Sequence, residues 1–181
     1  MTIALVLTLA LATGSAHAAP LPGKSGLIHS LVPGHGGIVP LPQAAEQPRS
    51  GSKAVFDITA DTRPGDVNTG LEHVAQLLNL YGAAGLKAGD VKIAAVFHGE
   101  ADKSVLSNAA YSARLNVAAN PNLSVIRELK KAGVEVFVCG QSWHEMGFRT
   151  EEVAEEVPIA DSAMLVLINK QRDGYAYIPI R

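Results

Sequence analysis

Segments typical of β-strands alternate with segments that carry a helical hydrophobic period from about residue 53 to the end of the chain. The run at 91–97 is mostly apolar, as expected of a strand covered on both faces, whereas 66–84 spaces its apolar residues three and four positions apart. Strands separated by helices pair in parallel through crossovers that place helices on both faces. The pattern predicts an α/β fold: a three-layer, mostly parallel sheet of about five strands with helices on both faces.

The predicted elements follow one another along the chain. Asn120-Pro121 marks one helix start, because asparagine caps helices and proline suits their first position. The segment 162–172 is predicted as an apolar helix, although 164–168 alone also fits a central strand. The predicted strands are 54–59, 91–97, 134–138, 157–159 and 175–180, and the predicted helices are 66–84, 102–111, 121–132, 150–156 (acidic and solvated) and 162–172.

The N-terminus has the pattern of an export signal. Residues 3–12 form an apolar run, and Ala16-His17-Ala18 matches the small-x-small sequence that signal peptidase reads. We predict a signal peptide over 1–18, cleaved after Ala18, and hence a periplasmic or secreted protein. The run is too short to span a bilayer, so no membrane contact is expected after cleavage.

Residues 19–52 have a different composition from the rest of the chain. They hold six of the ten prolines, many glycines and no hydrophobic period. Proline removes backbone donors and glycine adds freedom to the unfolded chain, which predicts a flexible arm. The folded domain is then expected to cover 53–181.

Composition excludes several classes of function. The formal net charge of -2 argues against a nucleic-acid binder, which usually carries a basic surface. A single cysteine excludes an internal disulfide and a zinc site made of cysteines alone. No Walker loop or dinucleotide fingerprint is present, and His98, Cys139 and His144 lack the close ligand pair of a usual zinc site. We therefore expect neither a cofactor nor a metal.

The chemically capable residues follow two predicted strands. His98-Gly99 ends the second strand, and Cys139-Gly140-Gln141-Ser142 ends the third. Open parallel sheets bind ligands at the carboxyl ends of their strands, so these residues are expected at one edge. If the two strands are neighbours, His98 lies near the thiol.

This pattern allows thiol chemistry. A thiolate attacks sulfane sulfur, and a nearby helix start or a protonated histidine favours the thiolate. Cys139 is the expected nucleophile, with His98 or His144 supplying positive charge or moving a proton. Gly99, Gly140, Gln141 and Ser142 are the expected ligand-binding residues. The alternative is that Cys139 is an inert buried side chain, His98 a packed or capping residue and His144 an exposed one.

Several motifs together resemble the DsrE/DsrF-like family, and more narrowly its exported single-domain members. They are the strand-end His98-Gly99 and Cys139-Gly140, then Gly147-Phe148, and Ser162-Ala163-Met164 leading to Gly174-Tyr175. The resemblance implies a flavodoxin-like fold and homo-oligomers, often trimers or hexamers. It also implies sulfur relay through a cysteine persulfide at the position of Cys139, with donor and acceptor proteins as partners. The chain departs from the sulfur-relay members in its export signal and in Met146-Gly147, where they often have arginine-glycine.

Two functions of different class remain. The first is a sulfur carrier or sulfurtransferase with Cys139 loaded and unloaded by partner proteins. The second is a non-catalytic, oligomeric small-ligand-binding module of the periplasm in which Cys139 is structural. An unpaired thiol in an exported protein invites oxidation, which favours the first function.

Overall fold

The computed structural model describes residues 26–181. It contains one five-stranded sheet in the order β4-β3-β2-β1-β5, and every neighbouring pair is parallel. The strands are β1 Ser52–Ile58, β2 Val91–Phe97, β3 Glu135–Cys139, β4 Ile159–Ala160 and β5 Ala176–Ile180. The helices are α1 Thr69–Ala83, α2 Asn108–Leu115, α3 Asn122–Lys131, α4 Gly140–Glu145 and α5 Ala163–Arg172. The predicted fold class is confirmed, whereas the signal peptide over 1–18 lies outside the described residues.

The starts of α1, α2 and α5 follow from short polar side chains, whereas α3 begins after Pro121 without a side-chain cap. Asn68 accepts a hydrogen bond from Gly70 N at 2.8 Å before α1, and Ser162 accepts one from Leu165 N at 3.2 Å before α5. The Ser162 cap identifies 162–172 as a helix rather than a central strand. None of the helices within residues 26–181 is long and apolar enough to cross a bilayer.

The sheet has two unequal faces. On the α1–α3 face, helices α1, α2 and α3 pack with alternate strand residues such as Phe56, Phe97 and Val138 into one large apolar cluster. On the α5 face, helix α5 alone packs on the intervening strand residues, among them Val55 and Val96. The outer side of α5 is left exposed, with Met164 71% and Ile168 52% exposed.

Two predicted helices are wrong for one shared reason. Leu106 forms an antiparallel bridge with Val153, so the backbone is extended at both points. The segment 102–111 is therefore split into a 3₁₀ turn, Gly99–Val105, and helix α2, which Ser107 caps. The predicted acidic helix 150–156 shrinks to a 3₁₀ turn at Thr150–Glu152. The expected solvated face is wrong at Glu152, which is buried against Arg114, whereas Glu151 and Glu155 are exposed as expected.

The prediction of a flexible arm is wrong for residues 31–38. Val32 and Ile38 are buried, and Val32 belongs to the large cluster of the α1–α3 face. Asn79 of α1 accepts from the Leu31 and Val32 amides at 2.8 and 2.9 Å, and its own amide donates to two carbonyls of the arm. A buried asparagine with all its hydrogen bonds satisfied holds this segment in one position. The boundary at residue 53 stays a prediction.

Candidate functional site

Cys139 is the last residue of β3 and the residue that precedes α4. Its Sγ accepts a hydrogen bond from Ser142 N at 3.5 Å. The helix begins at Gly140, directly after the thiol residue. Cys139 is 5% exposed because Val96, Ala163 and Val166 pack around it on the α5 face. The thiol is thus polarised by one backbone amide and covered by the beginning of α5.

His98 lies beside Cys139 at the carboxyl edge of the sheet. β2 and β3 are neighbours, and Phe97 pairs with Val138, so the next residue along each strand is His98 and Cys139 respectively. Alternation along the strands places both residues on the α5 face. The two strands are neighbours, which is the condition for His98 to lie near the thiol, but the His98 imidazole hydrogen-bonds through Nε2 to Asp57 Oδ1, at 2.6 Å, and not to the thiol.

Asp57 is a site residue that the sequence reasoning missed. It is 3% exposed near the end of β1, and its second oxygen accepts from the Tyr177 hydroxyl at 2.6 Å and from Arg181 Nη2 at 2.9 Å. Burial raises the pKa of Asp57, but the hydrogen bonds from Tyr177, His98 and Arg181 outweigh it and hold the pKa below its usual value. The carboxylate is therefore ionised at neutral pH. A charged residue inside the apolar run 54–59 was the signal that could have found it.

A second buried carboxyl lies close to Ser142. The Ser142 hydroxyl donates to Asp102 Oδ2 and accepts from Gly99 N at 2.6 Å. Asp102 Oδ1 is buried with no hydrogen-bond partner within residues 26–181. Burial raises the pKa of Asp102 to about 7, the hydrogen bond from Ser142 opposes this, and the charge of Glu100 adds to it. Gly99 and Ser142 thus link the ends of β2 and β3.

The other predicted site residues differ in position. His144 is exposed on α4, and the exposed Gln141 donates to the Asp161 carbonyl at 3.2 Å. Gly140 lies against β4, where a Cβ would stand 2.9 Å from the Ala160 carbonyl oxygen, so only glycine fits. The structure brings Cys139, His98, Gly99 and Ser142 together and leaves the side chains of Gln141 and His144 outside.

Two further features bear on ligand binding. Within residues 26–181, no three histidine, cysteine or acidic side chains come together as a metal site requires. A cavity of about 350 Å³ lies where β2 and β3 begin, lined by Lys92, Gly133, Glu135 and Tyr175 among others. This cavity is at the edge of the sheet opposite to Cys139.

Comparison with known proteins places the whole sheet in one family. The sequence model of the DsrE/DsrF-like family matches residues 53–180. The solved structure of MTH1491, a protein of unknown function from Methanobacterium thermoautotrophicum, is similar with a TM-score of 0.51 and 22% identity, over 71% of this chain and 99% of its own. The ychN protein from E. coli is similar with a TM-score of 0.52 and 12% identity, over the same shares of each chain. At these identities the two structures support the fold alone, and no curated protein matches the chain.

Proposed function

The chain belongs to the DsrE/DsrF-like family, and on that premise we propose that it is a sulfur carrier whose Cys139 holds sulfane sulfur as a persulfide. The observation that carries the proposal is the position of Cys139: it ends a central strand at the carboxyl edge of the sheet, with the Ser142 amide on its Sγ and His98 at the end of the neighbouring strand. Chemistry in open parallel sheets concentrates at this edge.

The proposed transfer needs only a thiolate and a persulfide donor. The Cys139 thiolate attacks the terminal sulfur of a donor persulfide and forms a new S–S bond. The S–S bond of the donor breaks, and its electron pair leaves with the donor thiolate. An acceptor thiolate then removes the sulfur from Cys139 in the same way, so no external oxidant or reductant is consumed. The donor and acceptor are proposed to be proteins met outside the cytoplasm, in line with the predicted signal at 1–18.

The burial of Cys139 sets a condition on this function. At 5% exposure the thiol meets no partner while Ala163 and Val166 cover it. Sulfur transfer therefore requires the first turn of α5 to move. The same burial is what favours the second candidate function, in which Cys139 only packs and the protein is a non-catalytic binding module.

Intact-protein mass spectrometry after incubation with polysulfide separates the two functions. We expect the wild-type protein to gain one sulfur atom, to lose it on reduction, and the Cys139→Ser variant to gain none. No gain by the folded wild-type protein would contradict the carrier function and favour the binding module. Equal gain by Cys139→Ser would also contradict it, since the sulfur would then be bound elsewhere.

We also propose that the protein is a homo-oligomer, a trimer or hexamer, in which α5 meets a second copy. Met164, Leu165 and Ile168 make the outer side of α5 apolar, whereas the arm covers part of the outer side of α1. An apolar patch of this kind is usually buried in a closed assembly. Leu167 packs on the sheet side of α5, so it is not part of this outer patch.

Light scattering coupled to size exclusion tests the assembly. We expect a single oligomeric species for the wild-type protein and a shift to monomer for Met164→Glu and Ile168→Glu. Gln171→Glu is the matched control, because it adds the same charge to an exposed polar position of the same helix. A wild-type monomer across micromolar concentrations would contradict the proposal.

A further inference from the structure

A network of charged and polar side chains surrounds the buried carboxylate of Asp57 at the carboxyl edge of the α5 face. Asp57 from β1 receives hydrogen bonds from His98, which follows β2, and from Tyr177 and Arg181 at β5. Arg181 also donates to the Tyr177 hydroxyl at 2.9 Å. A carboxylate that is 3% exposed costs stability unless such donors compensate it, so the network is held in one arrangement.

The network fixes which nitrogen of His98 carries hydrogen. The ionised Asp57 carboxylate can only accept, so the hydrogen between it and His98 belongs to Nε2. In the neutral imidazole Nδ1 is then the unprotonated nitrogen, and it has no hydrogen-bond partner within residues 26–181. The side chain of His98 is 30% exposed, unlike that of Asp57 at 4%. His98 is thus an oriented base with one free nitrogen.

The position of this base relative to the thiol follows from the strand register. His98 and Cys139 are the residues after the Phe97–Val138 pair, on adjacent strands and on the same face. Residues paired in this way lie near each other on the sheet surface. Asp57 is one strand further away and has no hydrogen bond with Cys139, so its hydrogen-bonded link to the thiol site runs through His98.

We infer that Asp57 is a positioning residue for the thiol site: it holds His98 in the tautomer whose Nδ1 takes the proton of Cys139. The S–H bond breaks, the proton forms an N–H bond at Nδ1, and the electron pair stays on sulfur. The resulting imidazolium keeps its Nε2–H on the Asp57 carboxylate, which stabilises its positive charge. This inference rests on the proposed carrier function and adds to it the group that prepares the thiolate.

The rate at which iodoacetamide alkylates Cys139 at pH 7 tests the inference in a double-mutant cycle. We expect His98→Gln to slow the reaction by about tenfold and Asp57→Asn by about fivefold. In the His98→Gln background, Asp57→Asn should have no further effect, because its influence passes through the imidazole. Glu152→Gln is the matched control: it neutralises another buried, arginine-paired carboxylate and should leave the rate unchanged.

A second measurement needs no variant and so does not depend on the folding of Asp57→Asn. The nitrogen-15 chemical shifts of His98 in the neutral state should show hydrogen on Nε2, and hydrogen on Nδ1 would overturn the inference. Equal slowing by Asp57→Asn with and without His98 would also overturn it, while leaving the carrier function in place. Absence of any alkylation in the folded wild-type protein would overturn the carrier function, and the inference with it.

Discussion

On the α1–α3 face three helices and the segment around Val32 bury one continuous apolar cluster, whereas on the α5 face one helix covers two small clusters. The candidate nucleophile and the Asp57 network belong to the second face. The larger cluster indicates that the α1–α3 face supplies most of the free energy of folding. The α5 face carries the chemical groups, of which Cys139 and Asp57 are buried and His98 is partly exposed. A helix with few buried contacts is also the element that opens at the lowest cost.

Truncating an inward-facing leucine on each face should show the difference most strongly. Leu78→Ala on α1 should lower the free energy of unfolding by about 3 kcal/mol, because its side chain is fully buried and leaves a cavity. Leu167→Ala on α5 should cost about 1 to 2 kcal/mol, because its side chain is only partly buried against the sheet. Urea unfolding of both variants measures the two values. Equal losses would contradict the division between the faces.

The two buried carboxyls should differ in how they couple stability to pH. The pKa of Asp102 rises from 3.8 to about 7 on folding, so between these values the unfolded state binds fewer protons and stability falls as pH rises. Asp102→Asn removes this loss and keeps an acceptor for Ser142. As pH rises from 5 to 8, the free energy of unfolding of the Asp102→Asn variant should therefore increase by about 2 to 3 kcal/mol relative to that of the wild-type protein.

Asp57 should couple the stability of the fold to pH in the opposite direction. Its pKa is lowered on folding, so its contribution to stability is present above its unfolded value and is lost as pH falls through its folded value. Chemical unfolding at a series of pH values measures both effects. A stability difference between Asp102→Asn and wild type that does not change with pH would show that folding does not raise the pKa of Asp102.

Asn79 makes the hydrogen bonds that attach the arm to the α1–α3 face. Asn79→Ala should lower the free energy of unfolding by about 2 kcal/mol, because it leaves the Leu31 and Val32 amides without their acceptor. The arm should also become sensitive to a broad-specificity protease before the domain does. Gln76→Ala, an exposed position on the same helix, is the control and should leave both properties unchanged. Rapid trimming of residues 26–50 in the wild-type protein would contradict the attachment.

The smallest effect is expected from the other candidate histidine. His144 is exposed on α4 and has no part in the Asp57 network, so His144→Ala should change the alkylation rate of Cys139 by less than about twofold. A larger loss than that of His98→Gln would reverse the assignment of the two histidines.

Much of the fold could be predicted because its signals are local. The apolar run that became β2 and the 3-4 spacing of α1 each act within a few residues. The placement of His98 and Cys139 at one edge followed from the parallel topology alone. The errors occurred where a distant segment competes with local preference. The Leu106–Val153 bridge, across 46 intervening residues, divided one predicted helix and shortened another.

The order of residues along the chain was enough to predict the fold class, the strand ends with the thiol and the imidazole, and the family resemblance. The groups that surround these two side chains depend instead on how distant segments come together. Asp57 meets Tyr177 and Arg181 because β5 returns to the edge of β1, and Asn79 meets the arm because that segment packs on α1. Periodicity and capping are set by neighbours along the chain, whereas the partner of a buried charge is set by strand order, which no short stretch of sequence contains.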